Sequence, residues 1–207
     1  MSTTATPRGH GLSLLADNRR PDRAPPWRGP VMPDTTSAAA VQIPAAGTYQ
    51  LDPAASTVTF ATRHLFGLGA VKGTFRLISG QITIADPLTS STASAVIDAA
   101  SFATGNPRRD QDVKSARLLH VTDHPQITFR STELVQDGAA WRLRGQITAR
   151  GTSAPAELTI TEAAASEDVL QIRATTRVDR YAHGLTKAKG LAGRHLDMEI
   201  TARATRT

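Results

Sequence analysis

The chain has 207 residues, 40% of them apolar and 20% charged, enough for one sizeable folded core. It contains no cysteine, which excludes a disulfide framework, a thiolate metal site and a cysteine nucleophile. The formal net charge is +6, from 24 basic and 18 acidic residues, but the signs interleave along the body of the chain, so the excess is a weak argument for a polyanion partner.

Residues 1–45 hold seven of the twelve prolines among Ser, Thr, Ala and Arg, with no apolar periodicity, and read as a disordered Pro/Arg-rich tail. Met32 offers a second start within it. The longest apolar patch there, Leu12 to Ala16, is interrupted by Ser13 and too short for a secretory core, and no run has the length of a membrane helix. A soluble, cytoplasmic protein is expected.

From Gly47 the pattern changes to period two, the mark of strands with one buried face, and residues 46–207 read as one domain. Val58, Phe60 and Thr62 alternate with Thr57, Thr59 and Ala61. Val71, Gly73, Phe75 and Leu77 follow, then Ile82 and Ile84 beyond a turn expected at Ser79-Gly80, and then Ala95, Ile97 and Ala99. Later runs are Ile127, Phe129, Ser131; Trp141, Leu143, Gly145, Ile147; Ala156, Leu158, Ile160; Leu170, Ile172, Ala174; and Leu196, Met198, Ile200, Ala202. Asp86-Pro87, Gln136-Asp137-Gly138, Gly151-Thr152 and Glu167-Asp168 supply turns. About eight antiparallel strands with one apolar face and almost no helix suggest an all-β sheet closed on itself as a barrel.

One stretch breaks the alternation. Asn106 can cap a helix whose first residue is Pro107, and His124-Pro125 ends the segment, so a short helical excursion around residues 106–120 is expected to cover one end of the barrel. It is rich in charge and poor in apolar faces.

An eight-stranded barrel is wide enough to be filled by its own side chains or to hold one slender ligand. The inward set expected to contact such a ligand is Val58, Phe60, Phe75, Leu77, Ile97, Phe129, Leu143, Ile147, Leu158, Ile172 and Met198. Gly73, Ala95, Ala99, Gly145, Ala149 and Ala174 interrupt it with small side chains. Either these gaps leave a tunnel for an extended hydrocarbon, or they face other side chains and the core closes.

The stretches "YQLDPAASTVTFATRHL", "VKGTFRLISGQITI", "IDAASFATGNPRRDQDVKS", "HPQITFRST", "LRGQITARGTSAPAEL" and "VDRYAHG" together resemble the YceI-like family. The resemblance implies a lipocalin-like barrel that binds, transports or stores a polyisoprenoid, an isoprenoid quinone or a fatty-acyl chain, with no catalysis and no cofactor other than that lipid. The positions that match are Asp52-Pro53, Ser56, Arg63-His64, Gly73, Phe75, Arg109-Asp110, Pro125, Phe129, Ser131, Arg180 and Gly184. Of these, His64, Arg109, Asp110, Ser131 and Arg180, with His183, are expected to form a polar rim or support it. Two departures, "ARLLHVTDHP" after the Arg-Asp pair and His183 before Gly184, make the expected rim more polar than the family pattern.

Other chemistries are weaker. A hydrolase- or lyase-type site could be assembled from His64, Asp110 and His183, with Ser131 as nucleophile, but no Gly-x-Ser-x-Gly elbow exists. His120 and His124 have the spacing of two zinc ligands on a helix, yet Val121 stands where a zincin needs Glu, and no metal is expected. Arg108, Arg109, Lys114 and Arg117 could meet phosphates of a nucleic acid or another anionic surface, but Asp110, Asp112 and Asp123 are interleaved and no aromatic stacks among them. No nucleic-acid partner is expected. Lys187 and Lys189 read as a mobile mouth loop able to touch a lipid head group or, transiently, a membrane, and a homodimer is left open.

Overall fold

The computed structural model of the chain describes residues 42–64, 69–189 and 192–207. Most of the segment read as tail, with Trp27, Met32 and Phe66, lies outside the described residues, as does the side chain of His64. Gln42, still within that segment, bonds to the barrel wall: its N–H donates to the Ala163 carbonyl at 2.9 Å and its Oε1 accepts from the Ala165 N–H at 3.3 Å.

Among the described residues the alternating runs form nine strands in one antiparallel sheet: β1 (Gly47–Leu51), β2 (Thr57–His64), β3 (Gly69–Ile84), β4 (Thr92–Ala103), β5 (Gln126–Asp137), β6 (Ala140–Ala149), β7 (Thr152–Ala165), β8 (Val169–Asp179) and β9 (His195–Arg206). Around the sheet the order is β3, β2, β9, β8, β7, β6, β5, β4, and β4 pairs back onto β3. β1 and β2 share one position, because both lie between β3 and β9, β1 against residues 81–84 and 204–206, β2 against 69–75 and 197–201. Nine segments therefore build a closed barrel of eight staves.

The break in the shared stave follows from its sequence. Pro53 has no N–H to give a ladder, and the Asp52 carboxylate accepts from the Ala54 N–H at 2.9 Å. The gap is stitched to β9 at Arg203, whose carbonyl accepts from the Asp52 N–H at 2.8 Å and whose N–H donates to Ser56 Oγ at 3.1 Å.

Ser79-Gly80 does not end a strand. β3 runs through it, with a register shift between Leu77 and Ser79 that moves the buried set from Val71, Phe75 and Leu77 to Ile82 and Ile84. A bulge changes parity as a turn does. Similar shifts beyond Ser131 in β5 and Ile160 in β7 bury Leu134 and Ala163. Between β6 and β7 a two-residue turn puts Arg150 and Gly151 both at positive φ, 49° and 73°, the primed geometry that matches strand twist.

The excursion contains α1 (Pro107–Lys114), capped by Asn106, whose side chain accepts from the Arg109 N–H at 3.1 Å. No helical residue is buried, but Leu118 and Leu119, just beyond it, are. The segment expected to be poor in apolar contact thus carries a two-leucine plug. Among the described residues no helix is long and apolar enough to cross a membrane.

Two apolar clusters hold the barrel. Tyr49, Leu51, Leu77, Ile82, Ile84, Leu170, Ala202 and Ala204 pack at the end remote from α1. Val58, Phe60, Phe75, Phe102, Leu119 and Leu185 pack at the α1 end, where the three phenylalanine rings meet with centroids 5.3 to 5.5 Å apart. Full burial of each large apolar side chain contributes about 1.5–3 kcal/mol.

Candidate functional site

The lumen is not filled. Three adjoining chambers run through it: an outer one of about 230 Å³ under α1, a middle one of about 160 Å³, and a deep one of about 130 Å³ at the far end. A site for a single water needs only about 10–15 Å³ on this measure, so each chamber is an order of magnitude larger.

Val58, Phe75, Leu77, Ile97, Phe129, Ile147, Leu158 and Met198 line the middle chamber. Phe60 faces the outer one with Phe75, and Leu143 and Ile172 face the deep one with Phe129 and Leu158. The small positions divide. Ala95 and Ala149 open onto the middle chamber and Ala174 onto the deep one. Gly73 and Gly145 instead make room for rings, since a Cβ would come within 2.4 Å of Phe60 at the first and 2.7 Å of Phe129 at the second.

Sequence reasoning missed Leu51, Phe102, Leu119 and Leu185 as lining residues. Phe102 lies past a register shift in β4, where alternation no longer reports facing. Leu119 and Leu185 sit in polar loops whose only signal is the leucines themselves; between the outer and middle chambers both contribute to the wall, with Phe75, Arg180 and Leu196.

The polar residues expected at a common rim are not one group. Arg109 and Asp110 converge on Thr104, whose N–H donates to both Asp110 carboxylate oxygens at 3.1 Å and whose hydroxyl also donates to Asp110. Arg109 Nε donates to that hydroxyl at 2.7 Å. Burial pushes the Asp110 carboxyl up, but Thr104 and the nearby Arg109 and Lys114 outweigh it and hold it below the usual range. Ser131 belongs to the other end of the barrel, where its Oγ accepts from the Ala93 N–H at 2.8 Å. It cannot serve as a nucleophile beside Asp110 and His183; it is not at the rim with Arg109 and Asp110, and its hydroxyl holds a backbone N–H of β4.

Arg180 and His183 are buried, 7% and 3% exposed, so neither stands on an exposed rim and His183 does not make the rim more polar as expected. They stand in a short 3₁₀ turn, 180–183, capped by Asp179, which accepts from the Tyr181 N–H at 2.9 Å. His183 Nδ1 meets the Thr152 carbonyl at 3.0 Å. The Arg180 guanidinium donates to four carbonyls: Gly193 at 2.8 Å, Lys187 at 2.9 Å, Ala192 at 3.1 Å, and Leu185. Burial lowers its pKa. A buried cation solvated by backbone oxygens holds both flanks of the loop read as mobile, and positions Leu185 over the lumen.

Outside that clamp, Arg194 Nε and Nη2 bind Asp179 Oδ2 at 2.9 and 2.6 Å. The Arg194 hydrogen bonds, opposed by burial and helped by the Tyr181 N–H, lower the Asp179 carboxyl to about 2. The guanidinium carbons of Arg180 and Arg194 and the Lys189 ammonium lie 4.8, 5.3 and 5.5 Å from the Tyr181 ring centre.

His120 is not helical; at φ 50° it lies in the following turn, its ring centre 5.9 Å from that of His124 and its Nε2 3.4 Å from Asp123. Among the described residues no cluster of His, Cys, Asp or Glu is arranged to hold a metal. Arg117 pairs with Asp112 at 3.3 Å.

The chain resembles known proteins in sequence and in fold. The family model for the YceI-like domain matches residues 49–204. A UPF0312 protein of Pectobacterium carotovorum is 33% identical over 102 residues, 49% of this chain and 53% of the relative. Protein YceI of Shigella flexneri is 31% identical over the same length and shares. The chain thus spans about half the length of the curated relatives it matches. Among solved structures, Burkholderia cenocepacia BcnA superposes with a TM-score of 0.68 at 19% identity, covering 75% of this chain and 99% of BcnA. A polyisoprenoid binding domain from Saccharophagus degradans, implicated in plant cell wall breakdown, gives 0.60 at 14% identity, covering 79% of this chain and all of that domain. At these identities the likenesses show the fold.

Proposed function

The chain belongs to the YceI-like family, and from that premise we propose that it binds one long apolar chain, a polyprenyl lipid, isoprenoid quinone or fatty-acyl chain, along the barrel axis, as a carrier or store. The observation that carries this reading is the run of three apolar chambers through the lumen. The polyisoprenoid-binding neighbour of the same fold supports it. Transfer of hydrocarbon from water is worth about 0.8 kcal/mol per methylene, so a tail of ordinary length drives binding with no polar contact at all.

Access is at the α1 end. Its cover consists of loops carrying Leu119 and Leu185, which can move aside without breaking the strand ladder. The exposed Lys187 and Lys189 flank that mouth and suit transient contact with an anionic membrane from which a lipid is drawn. A non-catalytic role is favoured because Asp110, Ser131 and His183 each have their own backbone or Thr104 partner and form no shared site.

Native mass spectrometry of protein purified without detergent tests the reading. A discrete adduct released by organic solvent is expected, and its release mass identifies the lipid. Leu158→Trp, which narrows the middle and deep chambers, should lower uptake of added lipid several-fold. An apo mass alone, with no uptake of polyprenyl alcohol or fatty acid, would sink the lipid-carrier reading.

A further inference from the structure

The wall between β7 and β8 is laddered along only part of its length. From Ala165–Leu170 the pairing runs to Thr159–Thr175 and stops there. Toward the α1 end each strand keeps only its other neighbour: residues 152–158 of β7 stay paired with β6, and residues 176–179 of β8 with β9. Pro155 gives a cause. The Glu157 carbonyl is turned toward β8, because it accepts from the Thr176 hydroxyl at 2.7 Å. Backbone groups two residues apart on a strand face the same edge, so Pro155 also faces β8, with no N–H to donate. Two side-chain bonds bridge the banks in place of a ladder: Thr176 to Glu157 near the last pair, and His183 Nδ1 to the Thr152 carbonyl, 3.0 Å, at the mouth. Behind them lies the middle chamber, lined on one bank by Leu158 and on the other by Thr176 and Val178.

We propose that this seam is the door of the barrel: an apolar chain passes sidelong between residues 152–158 and 176–179 into the middle chamber, and the Thr176–Glu157 and His183–Thr152 bonds latch it. This rests on the lipid-binding reading above. The seam opens at the α1 end, beside the loop carrying Leu185, so a tail enters along its length while its head group stays at the mouth. Parting the banks breaks two side-chain hydrogen bonds and no ladder bond, since β7 keeps β6 and β8 keeps β9. Parting β8 from β9 at the same end would instead break the ladder from Thr176–Met198 to Asp179–His195.

The chain has no cysteine, so a link can be placed across the seam alone. Thr176 and Val178 face the lumen with Leu158, so Glu157→Cys with Arg177→Cys puts one thiol on the outer face of each bank, to be joined by a short bifunctional thiosulfonate. Ala164→Cys with Gln171→Cys, an exposed pair in register within the laddered part, is the control. Uptake and release of a fluorescent fatty acid by the full chain are followed by stopped flow. Joining the seam is expected to slow both roughly tenfold with Kd unchanged, reduction to restore them, and the control link to leave them alone. Thr176→Val, which removes one latch, should speed both about fivefold. Rates unmoved by a seam link verified by mass, in a variant whose reduced form binds, overturn the door while leaving lipid binding intact. Equal slowing by the control link overturns it too, because general stiffening of the wall then accounts for the effect. Absence of binding by the wild type to both fatty acid and polyprenyl alcohol removes both readings.

Discussion

At the end remote from α1 the lumen is floored by Tyr49, Ile82, Ile84 and Leu170, all on strands and packed side by side. At the α1 end it is covered by Leu119 and Leu185, carried on loops whose shape depends on polar groups: Arg180 on four carbonyls, Asp179 on Arg194 and Tyr181, Asp110 on Thr104. Strand packing gives a floor that opens only when the barrel unfolds. Polar clamps on loops give a cover whose opening can be uncoupled from global unfolding.

The largest expected effect comes from Arg180→Met, which leaves four inward-facing carbonyls without their donor. We expect a loss of about 4 kcal/mol in urea denaturation, together with lipid exchange at least tenfold faster than wild type in stopped-flow displacement. Loss of stability with unchanged exchange would show that the clamp is not part of the cover. Leu170→Ala, in the floor and 1% exposed, should cost about 3 kcal/mol and leave exchange unaltered under native conditions; accelerated exchange would erase the contrast between the ends. Tyr49→Phe, which removes the hydroxyl bonded to the Ala45 carbonyl at 2.8 Å, should cost about 1 kcal/mol by the same denaturation measurement.

The smallest effect is the sharpest in its pH signature. The Asp179 carboxyl is lowered in the folded state to about 2 from 3.8, so its stabilisation is fully present above about pH 4 and is lost as pH falls through about 2. The difference in melting temperature between wild type and Asp179→Asn should therefore be constant near neutrality and shrink across that window. A difference that persists at about pH 2 would mean the carboxylate charge is not what Arg194 holds.

How much of this could be read from residues alone depended on whether the wall or the loops were being read. Strict alternation in β6 and β9 reported facing correctly, and all eleven residues expected inward line one of the chambers. Alternation failed at register shifts, so the continuous β3 looked like two strands at Ser79-Gly80 and Phe102 was passed over. The helix cap at Asn106 and Pro107 was legible because capping is local chemistry. The cover was not. Arg180 and His183 look like surface residues in sequence, and only tertiary folding brings the carbonyls of Leu185, Lys187, Ala192 and Gly193 to the first and that of Thr152 to the second. Leu119 in a run of charges carries no periodicity to mark it as a plug.

The broken stave joins distant parts of the chain. β1 and β2 come first, yet they share their outer seam with β9, at register positions such as Leu51 with Ala204 and Val58 with Ile200. All the hairpins between β2 and β9 can form in order as the polypeptide is synthesised, but the cylinder has to wait for its final strand. Until β9 is made, β2 and β8 each present an unsatisfied edge, the state most open to pairing with another molecule. Misassembly should therefore concentrate in chains interrupted before residue 195, and a nascent barrel should depend on chaperone protection up to the arrival of that strand.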